Sequence, residues 1–309
     1  MLTRSARRGA RTHRPGAVPY LFMLPATVLF VTMLALPIGY TGYLSLRRIK
    51  VTGLGLGRGS HREVFAGGFN YRAAVSDSAL WAGWGRVLVY GTLVLVVMLG
   101  LALLFALLMD SARARLTRFA RVSIFLPYAV PGVIATVLWG FLYLPTVSPI
   151  SDALSTLHLP KVDFLGAHVL PSMANVAVWG GTGFNMIVLY TALRAVPPEL
   201  YEAATVDGAS EVQIALRVKI PLLMPAIILT TVFSIIATLQ VFTEPMTLRP
   251  LTNSIGWTWS PLMKVYRDAF VNNNIYGAAA TAVIIAVVAL VLSFGFLRLV
   301  RDRAFGEAS

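Results

Sequence analysis

Six long apolar runs constrain this chain more than any other feature of its sequence. Each is near the length of about twenty residues that an α-helix needs to cross the hydrocarbon core of a bilayer. Only 13% of the 309 residues are charged, against about a quarter in a soluble domain, so the bilayer is the expected solvent. The runs lie at residues 18–46, 84–109, 122–144, 172–193, 218–243 and 276–298. The sequence therefore predicts an all-α, polytopic membrane protein with six transmembrane helices.

The distribution of Lys and Arg predicts which side of the membrane each loop faces, because short cytoplasmic loops carry an excess of positive charge. Six spans place both termini on one side. The basic residues of that side are Arg4, Arg7, Arg8, Arg11, Arg14, Arg113, Arg115, Arg118, Arg121, Arg194, Arg217, Lys219, Arg298, Arg301 and Arg303. Those of the other side are Arg47, Arg48, Lys50, Arg58, Arg62, Arg72, Arg86, Lys161, Arg249, Lys264 and Arg267. The first set is larger, so we expect a multi-pass protein of the plasma (inner) membrane with both termini cytoplasmic. Arg47, Arg48 and Lys50, just beyond the first span, are a contrary signal.

These expectations divide the chain into three parts. Residues 1–17 form a basic cytoplasmic tail, residues 18–300 the membrane domain, and residues 301–309 a second cytoplasmic tail. The formal net charge of +13 does not indicate nucleic acid, because no basic helix or aromatic-interleaved basic patch is present. Membrane topology accounts for the charge better.

The chain lacks the residue patterns of an enzyme. Cysteine is absent, and the four histidines lack the spacing of a helix-borne zinc site. Glycines alternate between residues 53 and 59, but a phosphate-binding loop needs a preceding strand and a Gly-Lys-Ser/Thr ending. We therefore expect no catalytic residue, metal or cofactor site in this chain, and any ATP must be bound by another one.

The polar segment between the fourth and fifth runs has strong signals for two helices and a turn. The pair Pro197–Pro198 suits a helix start, where a missing N–H costs nothing. Gly208 ends that helix at a position where glycine turns at low cost. Ser210 and Gln213 then form a capping box that starts a second helix. Residues 196–221, named the elbow below, are therefore predicted to be a helix–turn–helix outside the hydrocarbon.

The motif within the elbow resembles the EAA loop of permease subunits of binding-protein-dependent type I ABC importers. The matching residues are Glu202, Ala203, Ala204, Asp207, Gly208, Ala209, Val218, Ile220 and Pro221. In that family the loop is cytoplasmic and docks into a cleft on the ATPase subunit. The resemblance thus implies ATPase-coupling roles for Glu202, Ala203, Ala204, Asp207, Gly208 and Pro221. Ala215 departs from the pattern, since an aromatic residue is usual there, and Ile220 stands where leucine is usual.

Three further segments are similar to the carbohydrate-uptake, maltose-transporter-like branch of these permeases. They are Leu126–Pro131 with Trp139, Gly183–Met186 leading into the elbow, and Asn274–Ala280. The resemblance implies a sugar or oligosaccharide substrate, a second and non-identical permease subunit, two ATPase subunits that bind ATP and Mg, and an extracytoplasmic solute-binding protein. A phosphorylated or amino-acid solute, an ion-coupled secondary transporter and a membrane enzyme remain alternatives.

The resemblance implies a cavity between the two spans that flank the elbow, and helical spacing selects candidate residues for the substrate path on those spans. Gly181, Phe184 and Asn185 share one helix face, and Ser234 and Thr238 share another. Gln240 follows closely, and neutral polar and aromatic groups suit a sugar. Each of these residues has a structural alternative, since hydroxyls often bond their own helix and Phe184 could serve packing alone.

Three other features are open at the level of sequence. Asp110, near Arg113, is expected to be a solvated pair at a span end, and Glu244 is expected to begin an outer loop. Pro127, Pro131 and Gly132 interrupt the third span, and interruptions at membrane depth often mark a translocation path. The glycines at 180, 181 and 183 fit either a translocation path or close helix packing.

Overall fold

The computed structural model describes residues 18–51, 61–111, 116–160 and 162–305. Helices dominate these ranges, together with one two-stranded hairpin. The elements are α1 (Val18–Phe30), a π-helical segment (Val31–Ala35), α2 (Leu36–Ser45), β1 (Arg47–Val51), β2 (His61–Phe65), α3 (Phe69–Val75), α4 (Ser78–Asp110), α5 (Thr117–Phe125), a 3-10 turn (Leu126–Ala129), α6 (Gly132–Tyr143), α7 (Pro149–Thr156), α8 (Val169–Arg194), α9 (Glu199–Val206), α10 (Glu211–Ile214), a π-helical segment (Ala215–Lys219), α11 (Ile220–Leu222), α12 (Met224–Leu239), α13 (Thr243–Leu248), a 3-10 turn (Arg249–Leu251), α14 (Pro261–Tyr266), a π-helical segment (Arg267–Val271) and α15 (Ile275–Phe305).

The helical membrane architecture predicted from the sequence is confirmed. Within the described ranges, five helices are long and apolar enough to cross a membrane, and a bent pair makes a sixth span if it is counted as one. The five are Tyr20–Ser45, Ser78–Asp110, Val169–Arg194, Met224–Leu251 and Ile275–Leu299. The second begins at Ser78 rather than near residue 84, because the Asp77 carboxylate accepts a hydrogen bond from the Ala79 N–H at 2.9 Å and caps the helix.

The third predicted span, residues 122–144, is not one straight helix. Its two halves, Thr117–Ala129 and Gly132–Tyr143, meet at 96°. Val130 between them is extended (φ −79°, ψ 126°), as expected for a residue that precedes a proline, and Pro131 has no N–H to continue the first half. The prolines therefore turn this segment sharply.

A hairpin follows the first span, where the sequence predicted only a loop. Strand β1 pairs antiparallel with β2, from Arg47 opposite Phe65 to Val51 opposite His61. The buried Asn70 fastens its base, donating to the Ser45 carbonyl at 2.8 Å and to the Arg47 carbonyl at 2.7 Å. The basic residues of β1 lower its hydropathy and so concealed a strand. The glycine-rich segment 52–60 lies outside the described residues, as do the predicted tail 1–17 and residues 306–309 of the predicted tail 301–309. Residues 301–305 of that tail continue helix α15.

The core lies along α4, which packs against α8 and α12. Leu80, Val87, Tyr90, Val94 and Met98 of α4 are buried and recur at the spacing of one helix face. The apolar window of the first span, by contrast, has no residue buried within this chain. That span must therefore be covered by lipid or by another subunit.

A buried ionic cluster ties the start of α4 to α14 at the end of the molecule that carries the hairpin. The Lys264 ammonium lies 3.0 Å from the Asp77 carboxylate and also pairs with Asp268, which accepts from Arg267 at 2.9 Å. Burial raises the pKa of Asp77, but the hydrogen bonds from Lys264 and Ala79 outweigh it and leave the pKa below its ordinary value. Because each charge has a partner, the role of this cluster is structural: it holds the start of α4 against α14.

Candidate functional site

The elbow has the helix–turn–helix form that the sequence predicts. Helix α9 starts directly after Pro198, with Glu199 and Glu202 in its first turn. Gly208 ends it with φ +81°, a left-handed conformation that glycine adopts without strain. Its N–H donates to the Thr205 carbonyl at 3.0 Å.

The capping box that restarts the helix is confirmed. The Ser210 N–H donates to the Gln213 side chain at 2.8 Å, and the Gln213 N–H donates to the Ser210 hydroxyl at 3.3 Å. These two bonds satisfy N–H groups that a helix start leaves free. The bend between α9 and α10 is therefore specified by local bonds, which gives the elbow a defined shape.

A buried ion pair fastens the elbow to the membrane spans. The Lys219 ammonium donates to the Asp110 carboxylate at 2.5 Å, and these side chains are 12% and 5% exposed. Arg194, at the end of α8, lies 4.0 Å from the same carboxylate. The expectation that Asp110 is solvated beside Arg113 is wrong, because the returning elbow covers the end of α4. Arg113 itself lies outside the described residues.

Tyr201 of α9 completes this attachment. Its ring lies under the Lys219 ammonium at 4.7 Å from the ring centroid, a favourable cation–π geometry. Burial, and to a lesser extent the Asp110 charge, raises the pKa of Tyr201 above its ordinary value. Both arms of the elbow thus meet the ends of α4 and α8 at one point.

The outward side of the elbow is exposed and carries apolar side chains. Glu202, Ala203, Asp207, Gly208 and Pro221 are exposed, while Ala204 is half-buried. Val206 and Val212, on either side of the turn, are 87% and 67% exposed. Apolar side chains grouped on a polar segment outside the hydrocarbon mark a contact surface.

A cavity of about 540 Å³ lies where α4, α6, α8, α12 and α13 meet. Every residue that the sequence selected for the substrate path borders it, namely Gly181, Phe184, Asn185, Ser234, Thr238 and Gln240. The structure therefore brings the two predicted helix faces together. Pro127 and Gly132, two of the helix-breaking residues of the third span, also border the cavity, whereas the sequence reasoning missed the contribution of α13.

Some polar groups of the cavity wall already make hydrogen bonds to backbone carbonyls of their own helices. The Asn185 amide donates to the Gly181 carbonyl at 3.0 Å, and the Thr238 hydroxyl donates to the Ser234 carbonyl at 2.9 Å. Phe184 stacks on Tyr128 with ring centroids 4.9 Å apart. The wall thus offers aromatic faces, carbonyl and amide oxygens, and the exposed Gln240 at the end of α12.

Glu244, like Asp110, is a residue that the sequence reasoning placed wrongly. It lies in α13 and borders the cavity instead of beginning an outer loop. The chain breaks its helix at Gln240–Val241 and resumes at Thr243, which turns the first residues of α13 toward the cavity. Helices interrupted at membrane depth commonly line such spaces, so this break was the available signal.

The three glycines of α8 have different roles. A Cβ on Gly183 would lie 2.2 Å from the Ile124 carbonyl oxygen, whereas a Cβ on Gly180 would meet no atom within 4 Å. A Cβ on Gly181 would lie 2.5 Å from the Met98 sulfur. Close packing therefore explains Gly183, while Gly180 and Gly181 border the cavity. In the described part of the chain, no three acidic or histidine side chains come close enough together to hold a metal ion.

Comparison with solved structures supports the fold. A bacterial ABC transporter involved in the import of the acidic polysaccharide alginate matches with a TM-score of 0.78, at 22% identity, over 92% of this chain and 95% of the other. A MetNI methionine ABC transporter matches over 72% of this chain and 93% of the other, with a TM-score of 0.53 at 18% identity. At these identities the likeness concerns the fold alone.

Comparison with known sequences adds the family. The sn-glycerol-3-phosphate transport system permease protein UgpA of Agrobacterium fabrum is 29% identical over 93% of this chain and 95% of its own length. The diacetylchitobiose uptake system permease protein NgcF of Streptomyces coelicolor is 29% identical over 57% of this chain and 51% of its own length. The family model for the inner membrane component of binding-protein-dependent transport systems matches residues 98–305, which include the elbow and the cavity-lining residues of α8, α12 and α13. The chain belongs to this family of inner membrane transport components.

Proposed function

We propose that this chain is the non-catalytic, membrane-spanning subunit of an ATP-driven importer that moves a sugar or oligosaccharide through its cavity. One observation carries the proposal: the exposed elbow is fastened by the Asp110–Lys219 pair to α4, which forms part of the cavity wall. The elbow also leads directly into α12, a second part of that wall. A force applied to the elbow is therefore transmitted to two helices that border the cavity.

The partners follow from the surfaces that this chain leaves uncovered. Two ATPase subunits, which bind ATP and Mg, would receive the elbows through Glu202, Ala203, Ala204, Asp207, Gly208 and Pro221, with Val206 and Val212 as apolar contacts. A second permease subunit would complete the pore and would cover part of the exposed first span. An extracytoplasmic binding protein would deliver the solute to the opposite side. In this arrangement the elbow and both termini are cytoplasmic, and the coupling segment lies within a membrane domain of residues 18–300.

The composition of the cavity favours a sugar. Ring faces of sugars stack on aromatic side chains, and their hydroxyls pair with neutral polar groups. Tyr128 and Phe184 supply the aromatic faces, and Asn185, Thr238 and Gln240 supply the neutral polar groups. The UgpA relatives are named for a phosphate ester, which makes such a solute the second candidate. No Lys or Arg borders the cavity in the described ranges, and this favours the sugar.

Gly208→Pro is expected to abolish nucleotide-dependent uptake while membrane insertion is retained. Proline fixes φ near −65°, whereas the turn requires +81°, and it removes the N–H that bonds to Thr205. The elbow would then lose the angle between α9 and α10 on which docking depends. The measurement is uptake of radiolabelled sugars into proteoliposomes that contain the complete transporter, with the ATPase rate recorded in parallel.

The matched control replaces the same glycine with a residue that tolerates the conformation of the turn. Gly208→Asn is expected to retain most of the activity, because asparagine tolerates the left-handed conformation far better than other side chains. Normal uptake by the proline variant would show that the elbow does not couple the motor. Uptake by this chain alone, without nucleotide or partners, would instead support a secondary transporter.

A further inference from the structure

We infer that Glu244 makes the cavity a charge filter that admits neutral hydroxylated or amine-bearing sugars and rejects anionic ones. The inference rests on the proposed function, whose substrate class it narrows. Among the described residues that border the cavity, Glu244 is the one charged side chain.

The charge of Glu244 is not balanced by a neighbouring cation. In the ranges that the structure describes, the salt bridges within 4.0 Å involve Glu63, Asp77, Asp110 and Asp268 as acids, and Glu244 has none. The remaining lining is formed by aromatic, aliphatic, amide and hydroxyl groups. The ionised Glu244 carboxylate would therefore act on a solute in the cavity without a compensating cation among the described residues.

This field discriminates between solutes by their charge. At an effective dielectric constant of about 20, two like charges about 5 Å apart repel strongly enough to weaken binding by roughly 100-fold. A sugar hydroxyl or a protonated amine can instead donate to the carboxylate, which in its ionised form only accepts hydrogen bonds. Gln240 and Thr243, close to Glu244 in the sequence, also border the cavity and add further polar groups to its wall.

The filter can be tested without knowing the substrate by measuring how fast charged reagents modify a single thiol in the cavity. The chain contains no cysteine, so an introduced cysteine supplies its one thiol. Ala237 is exposed and borders the cavity, so Ala237→Cys places a single thiol there. The complete transporter is treated with a cationic or an anionic methanethiosulfonate of similar size, and the mass of this chain reports the modification rates. Each rate is divided by the rate at which the same reagent modifies a small free thiol in solution.

The cationic reagent is expected to react at least about tenfold faster than the anionic one in the presence of Glu244. Glu244→Gln should bring the ratio of the two rates close to one, and Glu244→Lys should reverse it. The matched control is Glu63→Gln, which removes a carboxylate from the hairpin outside the cavity and should leave the ratio unchanged. A ratio that stays the same after Glu244→Gln overturns the inference.

A second measurement separates the filter from the identity of the cargo. Three disaccharides of matched size are used to protect the thiol from modification: cellobiose, the amine disaccharide of glucosamine, and cellobiouronic acid. The first two should protect the Ala237→Cys chain, and the acid should protect only after Glu244→Gln. If no disaccharide protects although the reagent ratio depends on Glu244, the charge filter stands and the sugar assignment fails.

Discussion

Asp110→Asn is expected to lower nucleotide-dependent uptake by at least tenfold without preventing membrane insertion. The substitution keeps the size of the side chain but leaves the largely buried Lys219 ammonium without its carboxylate. Removing one partner of a buried pair costs about 3–5 kcal/mol, since the remaining charge is neither hydrated nor paired. That cost corresponds to a change on the order of a hundredfold or more in the equilibrium constant between the elbow bound to α4 and the elbow released from it.

Two variants distinguish the loss of this attachment from a general loss of stability. The double substitution Asp110→Asn with Lys219→Met removes the stranded charge and should recover part of the uptake, because replacing both members of a buried pair is often nearly neutral. Asp152→Asn makes the same chemical change at an exposed position and should have little effect. Uptake is measured together with the ATPase rate, and full uptake by the single Asp110 variant would contradict a fastening role.

The elbow could be predicted from the sequence because its structure is local. Gly208 and the Ser210–Gln213 box act within three residues along the chain, so their bonds follow from residue type and spacing. The pairing of Asp110 with Lys219 spans 109 residues and depends on how the elbow returns to the end of α4. No local pattern contains that information, and the sequence therefore suggested the nearby Arg113 as the partner.

The cavity was predictable only in part, for a similar reason. Helical spacing identifies which residues share a face of α8 or α12, but not which other elements complete the wall. Pro131 indicates a break in the third span, but neither the angle of 96° between its halves nor the stacking of Tyr128 on Phe184 can be read from local spacing. Glu244 was misplaced because the residues after Gln240 look like the start of a loop, whereas Thr243 begins a short helix.

Gly183→Ala is expected to destabilise the protein by at least about 2 kcal/mol, because the added methyl group overlaps backbone atoms. It would lie 2.2 Å from the Ile124 oxygen and 2.7 Å from the Phe125 Cα, and neither can move by a change of rotamer. Overpacking of this kind costs about 1–3 kcal/mol or more. The measurement is thermal unfolding of the purified transporter, in which a fall of several degrees is expected.

Gly180→Ala provides the matched control on the same helix, since its methyl group would meet no atom within 4 Å. It should leave the unfolding temperature unchanged or raise it slightly, as alanine favours the helix by up to about 1 kcal/mol. Equal unfolding temperatures for the two variants would contradict the packing role of Gly183.

Because α5 leads directly into the turn that carries Tyr128, separating α5 from α8 at Gly183 should also open the stack between Tyr128 and Phe184. The close contact at this glycine thus holds the aromatic wall of the cavity in place.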